Sequence, residues 1–230
     1  MQQPLPLLSF TGHVLRLIPS RFDTVIPRPS VLKNVTSDPR TFDVLLDLDN
    51  LTNDRVLAGQ GVTYQPYQHV VLAAFQYASD SRFNTPLPGH GAWYAASNLQ
   101  TCIEEVGFHF KTRVFDANLL EEAHATEYTV YASEAADMYY DAQQDQEYLA
   151  QLAADRDSYA YSQSIAEDLR QDQRAGVHYH SVRASRPEQS CLAILQPWAV
   201  RRVERGRSLR MRWDPQEGTV KVDPIDPPSS

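Results

Sequence analysis

Ser81 to His109 reads SRFNTPLPGHGAWYAASNLQTCIEEVGFH and passes from a loop through a strand into a helix. Pro86, Pro88, Gly89 and Gly91 punctuate the loop, and Ala92 to Ala96 is apolar enough for a short strand carrying Tyr94. Asn98 can then cap a helix from Leu99 to Phe115, with Ile103, Val106 and Phe110 as its apolar stripe. Arg82, Tyr94 and Glu105 thus follow one another on loop, strand and helix. A pyrophosphate calls for a guanidinium fork and cleavage of a glycosidic bond calls for a carboxylate, so the order suits an anionic nucleotide.

Working outward, Tyr67 to Ala78 (YQHVVLAAFQYA) is apolar on nearly every side and predicts a buried helix leading into the arginine loop. Phe10 to Ile18 (FTGHVLRLI) predicts a strand that takes Arg16 into the core, after which Pro19, Pro27 and Pro29 break regular structure. A short helix is expected from Ser37 or Asp38, with Phe42, Leu45 and Leu46 at helical spacing. Downstream, Glu127 to Ala132 alternates as a strand, and Asp145 to Gln173 reads as two short helices. Ala175–Arg183 and Cys191–Leu195 form a strand pair joined by ASRPEQ.

SLRMRW, where Leu209, Met211 and Trp213 alternate with arginines, predicts a half-buried edge strand. It closes an arginine-rich segment (Arg201, Arg202, Arg205, Arg207, Arg210, Arg212) that suits either a solvated face or a docking surface for an acidic partner or nucleotide phosphate. From Asp214 onward four prolines and few large apolar groups predict a loosely ordered tail, 214–230. The remainder, 1–213, reads as one domain with an insert over roughly 23–66 and no internal repeat.

A chain of 230 residues with 42% hydrophobic and 22% charged content has the composition of a globular domain. A net charge of −8 speaks against bulk attraction to nucleic acid, whose phosphates call for a basic face. No apolar run approaches the length of a membrane span, and the opening MQQPLPLLSF lacks a basic leader region, so the expectation is a cytoplasmic protein with no membrane contact. Cys102 and Cys191 are expected to be buried thiols. The nine glycines build neither a GxGxxG turn nor a GxxxxGK[ST] loop, so side chains must meet any phosphate. His178 and His180 share a strand face without a third ligand at plausible spacing, so no metal is expected.

Strands and helices interleave without the regular alternation of a doubly wound sheet, which predicts an α+β fold. VLRLIPSRF (Val14–Phe22), the arginine–tyrosine–glutamate stretch, and GVHYHSVRASRPEQSCLAIL (Gly176–Leu195) together resemble the RES domain, a family named for its arginine, glutamate and serine. The resemblance implies an ADP-ribosyltransferase-like fold, a split and strongly bent β core with flanking helices gripping NAD in a cleft. It also implies a bacterial toxin paired with a helix-turn-helix antitoxin of the Xre type.

On the resemblance, Glu105, which follows Tyr94 at the family's spacing, is the catalytic carboxylate. Its neighbour Glu104 points about 100° away on a helix and cannot share that role. Arg16 and Arg82 match family arginines that would pair with the pyrophosphate, Arg21 being a fallback for Arg16. Tyr94 would stack on nicotinamide or adenine, and Ser181 matches the family serine, a donor to phosphate or ribose. His109, four residues beyond Glu105, is placed to tune that carboxylate or simply to pack. Arg82, Tyr94 and Glu105 form the expected catalytic set; Arg16, Arg82, Tyr94 and Ser181 the expected substrate-binding set.

The expected activity is cleavage of the nicotinamide–ribose bond of NAD, with water or inorganic phosphate as acceptor. A protein acceptor, which would make the chain an ADP-ribosyltransferase, is one alternative, and a non-catalytic nucleotide-binding or interaction module is another. NAD enters as substrate. Homo-oligomerisation and the role of the insert are left open.

Overall fold

A computed structural model describes residues 5–22, 36, 38, 41, 66–76, 79–183 and 189–225. The short helix expected after Ser37, and nearly all of the insert, lie outside the described residues. Among the described residues, seven strands and four helices follow in the order β1 (Leu7–Pro19), α1 (Gln68–Gln76), β2 (Trp93–Ala96), α2 (Leu99–Asp116), β3 (Ala125–Asp141), α3 (Gln146–Ala154), α4 (Ala160–Gln171), β4 (Gly176–His180), β5 (Ser190–Ile194), β6 (Arg201–Asp214) and β7 (Thr219–Ile225). The architecture is α+β.

The sheet runs β1-β2-β5-β4-β3-β6-β7, and β1 also pairs with β3, so the first five strands close on themselves. The β1–β3 ladder is the spine, antiparallel from Leu7↔Tyr140 to Pro19↔Tyr128. Among the described strands only β3 and β4 run parallel, at Tyr140↔Val177 and Asp141↔His178. β1 and β2 share a single residue pair, Leu15↔Ala96, which leaves them splayed.

Period-two alternation sorts the short central strands between two cores. Cys191 and Ala193 of β5 join one cluster, with Tyr179, Tyr148 and Phe83, while Leu192 and Ile194 join the other, with Trp93, Tyr131 and Val14. Because both faces of β5 are covered, it reads SCLAI, apolar throughout after its first residue. Gly91 lets α1 dock against the start of β2: its N–H donates to Phe75 O at 3.2 Å, and a Cβ there would lie 2.1 Å from Ala74 O.

Three expectations need correction. β3 extends nine residues beyond Ala132, since Ala135, Tyr139 and Tyr140 continue the buried pattern against β1. β6 is not an edge strand but is flanked by β3 and β7. The tail is not loose up to Ile225, because Trp213↔Val220 and Met211↔Val222 pair across the β6–β7 hairpin and bury its apolar side. Asp214 sets the turn, its carboxylate accepting the N–H groups of Gln216 (3.0 Å) and Glu217 (3.2 Å), and Gly218 closes it at φ 65°.

The arginines of β6 are largely spent on neighbouring strands. Arg201, Arg202 and Arg210 pair with Asp137, Glu134 and Glu127 of β3, and Arg212 with Asp223 of β7. Arg201, Arg202, Arg205, Arg207 and Arg210 are exposed and Arg212 is half-buried, as the solvated-face reading expects. Arg207 instead lines a groove of about 710 Å³ between α2 and the β6–β7 hairpin.

Candidate functional site

The helix that carries Glu105 starts where the sequence places it: Asn98 is extended and its side chain accepts from Thr101 N at 2.9 Å, capping α2. Thr101, Cys102, Phe110 and Val114 are its deeply buried residues, whereas Ile103 and Val106 are only partly buried against the core. Glu105 is half-buried at the border of that face. Ser181, just past the end of β4, donates its hydroxyl to Glu105 Oε1 at 2.5 Å. The two residues are 76 positions apart in sequence and meet because β4 runs beside β5, β5 beside β2, and β2 leads into α2.

Arg82 sits at the tip of a tight turn in which Ser81 and Asn84 exchange backbone hydrogen bonds of 3.2 and 3.1 Å. Its guanidinium is buried, donates to Arg156 O at 2.9 Å, and lies 5.4 Å from the centre of the Tyr159 ring. Phe83, fully buried beside it, stacks on Tyr148 (6.4 Å) and meets the Tyr179 ring edgewise (5.1 Å). The Tyr179 hydroxyl feels Glu105, Tyr94 and Tyr148, although desolvation is the main force that raises its pKa well above the usual tyrosine value. Tyr148 in turn feels the Arg82 charge. Tyr179, on the strand that leads to Ser181, thus packs against the arginine loop through Phe83.

Tyr94 is placed among these groups, but its hydroxyl is committed to the loop. It accepts Phe83 N–H at 2.9 Å and sits 3.1 Å from Ser81 Oγ. Burial pushes its pKa up to about 12. In this arrangement Tyr94 fixes the arginine turn as well as offering a ring.

Arg16 stands apart. Strand alternation puts it with Val14 and Ile18 on the side of the second cluster, opposite Tyr94, and its guanidinium lies 4.7 Å over the Trp93 ring and donates to Ala92 O at 3.1 Å. It fills the splay between β1 and β2. Desolvation lowers its pKa to about 10, while Tyr94 and Cys102 act to raise it, so its charge reaches the site from across the sheet. Arg21 lies exposed in a short 3₁₀ turn, Ser20–Phe22, after β1.

His109 makes its ring contact with Phe108 at 5.6 Å; desolvation lowers its pKa, and Glu105 opposes that shift. His178 is held by Asp141 (3.1 Å) and Gln143 (3.3 Å). Cys102 and Cys191 are buried thiols, and desolvation pushes Cys102 up to about 12.

Two residues that the sequence reading passed over hold the arginine loop from α4. Gln163 Nε2 donates to Asp80 Oδ1 (2.7 Å), Ser81 O (2.9 Å) and Asn84 O (2.7 Å). Arg170 Nη2 donates to Phe83 O (2.9 Å), His90 O (2.7 Å) and Gly91 O (3.1 Å). They lie seven apart, two helical turns on one face. The available signal was an arginine among Ile165, Ala166 and Leu169, the buried residues of this helix.

The family model described as the RES domain matches residues 54–214. That span includes Arg82, Tyr94, Glu105 and Ser181, and it leaves out Arg16. Among solved structures, the chain is similar to one in "Crystal structure of the M.tuberculosis MbcT-MbcA toxin-antitoxin complex", at 12% identity over 87% of this chain and 86% of that chain, with a TM-score of 0.45. The search of curated proteins found no match.

Proposed function

Because this chain belongs to the RES domain family, we propose that it is the toxin of a bacterial toxin–antitoxin pair and that it degrades NAD by cleaving the nicotinamide–ribose bond. The observation that carries this reading is the carboxylate of Glu105, oriented by the Ser181 hydroxyl at 2.5 Å, while Phe83, next to Arg82, packs on Tyr179 of the strand that leads to Ser181. A carboxylate fixed on one oxygen leaves the other free to face developing positive charge. Cleavage of the glycosidic bond passes through an oxocarbenium-like state, which such a carboxylate stabilises.

In the proposed reaction the C1″–N bond to nicotinamide breaks and its electron pair departs with nicotinamide, which leaves as a neutral base. Water or inorganic phosphate then forms the new C–O bond at C1″, and water's surplus proton goes to Glu105 or to solvent. Arg82 binds the diphosphate; beyond the hydrogen bond that its Nη2 gives to Arg156 O, the guanidinium fork has further N–H groups to turn toward phosphate oxygens. Arg16 acts from across the sheet, contributing charge and rigidity rather than a shared pocket wall. No metal is needed, since the leaving group requires little acid help.

The partner in this proposal is a helix-turn-helix antitoxin of the Xre type that covers the cleft, and the setting is the bacterial cytoplasm, where NAD is abundant. Among the described residues no helix is long and apolar enough to cross a membrane. The test is mass spectrometry of products from NAD with phosphate present and absent. Free ADP-ribose marks hydrolysis, ADP-ribose-1″-phosphate marks phosphorolysis, and label on a macromolecule marks ADP-ribosyl transfer. Unchanged NAD, in vitro and in cells expressing the chain, would leave a binding module instead.

A further inference from the structure

We infer that Arg183 is a further guanidinium for the nucleotide diphosphate, and that Asp157 occupies its phosphate position while no nucleotide is bound. The inference rests on the function proposed above and adds a residue and a competing internal anion to it. Two arginines from distant parts of the chain end on consecutive residues of the loop between α3 and α4. Arg82 Nη2 donates to Arg156 O at 2.9 Å, and Arg183 Nη2 donates to Asp157 Oδ1 at 3.1 Å. Arg183 also reaches the catalytic side, since its backbone N–H lies 3.4 Å from the Ser181 Oγ that holds Glu105. Its guanidinium runs from Phe108, on the helix that carries Glu105, to Asp157, the neighbour of the residue whose carbonyl Arg82 holds, a course along which a diphosphate attached to the reacting ribose would be met.

The exposures of the two partners differ sharply. The Arg183 side chain is 11% exposed and that of Asp157 is 80% exposed. Arg183 is pre-set by stacking, its guanidinium carbon 3.8 Å from the centre of the Phe108 ring. Asp157 is not: a carboxylate so open to water is a weak and easily displaced anion. The loop does not depend on it, because Asp155 Oδ1 accepts the N–H groups of both Asp157 and Ser158 at 3.1 Å. A diphosphate offers two charge-assisted oxygens to the Arg82–Arg183 pair where Asp157 offers one. Binding would turn Asp157 out into solvent.

The experiment is calorimetric titration of NAD into the full chain carrying Glu105→Gln, so that turnover does not confuse binding, with Asp157→Asn and Arg183→Met added singly and together. Removing the competitor is expected to tighten NAD binding about two- to five-fold, the range an exposed ion pair spans. Arg183→Met is expected to weaken it about ten-fold or more, with Arg183→Lys recovering only part because the fork is lost. In the double variant the gain from Asp157→Asn disappears. A structural salt bridge predicts the opposite sign for Asp157→Asn, so weaker or unchanged binding there overturns the inference even if Arg183→Met does not fold. If NAD binds but ignores both substitutions, this inference falls and the proposed function stands. If NAD is neither bound nor consumed by the unmodified chain, the proposed function falls and takes the inference with it.

Discussion

The hydroxyl of Tyr94 accepts the backbone N–H of Phe83 at 2.9 Å, so the central strand of the candidate site holds the arginine turn through a single phenol. Replacing it tests whether the turn needs that tie. Tyr94→Phe keeps the ring and leaves the Phe83 N–H without its acceptor, which is expected to cost about 1–3 kcal/mol of stability. Urea unfolding at neutral pH measures the loss, and a lowered rate of NAD consumption with an intact fold would show that the turn, not the ring, was disturbed.

Glu105→Gln removes the negative charge while keeping the shape of the side chain, and it is expected to abolish NAD loss and growth arrest on induced expression. Ser181→Ala leaves the charge but frees the carboxylate. Its effect should be smaller, about 10- to 100-fold in kcat, in line with a charge-assisted hydrogen bond of about 1.5–3 kcal/mol. Equal rates for both variants and the unmodified chain would sink the enzyme reading.

Arg170 satisfies three carbonyls of the segment from Phe83 to Gly91. Arg170→Met should unfasten that segment from α4, lowering the unfolding midpoint and raising KM for NAD more than it lowers kcat, because Arg82 would lose its fixed approach. Gln163→Leu should act in the same direction. Their combined effect should fall short of the sum, since both fasten one loop.

Alkaline stability follows from the buried acids. Cys102 is raised to about 12 from 9.0, and Tyr94 to about 12 from 10.0, in both cases chiefly by desolvation. Above pH 9 the unfolded chain releases these protons first and so binds fewer than the folded one, which makes the slope of stability with pH negative. The stabilisation is fully present below pH 9 and drains away between 9 and 12. Unfolding curves at a series of pH values should show a steep loss in that window, and Cys102→Ala should make it shallower.

Much of the fold was legible because its signals are local. Asn98 caps the helix it was expected to cap, Tyr94 lies on a strand, and the polar run from Asp145 divides into two helices. Misreadings arose where a partner strand decided the outcome. The prolines after Asp214 suggested a loose tail, yet Val220 and Val222 find Trp213 and Met211 across a turn that Asp214 itself organises. Gln163 and Arg170 were illegible for a related reason: a polar side chain on a helix carries no mark of the loop carbonyls it will meet.

By itself, the sequence determined where α1, β2, α2, α3 and α4 lie, and it carried the arginine, tyrosine, glutamate and serine blocks that mark the family, because capping, periodicity and motif spacing are properties of neighbouring residues. Only the tertiary structure decided that Ser181 meets Glu105, that the Tyr94 hydroxyl is spent on the arginine turn, and that Arg16 comes in from the opposite pleat face. Those outcomes depend on sheet closure. The register of β1 against β3, and the one-pair contact of β1 with β2, fix where each side chain points, and both are set by strands far apart along the chain.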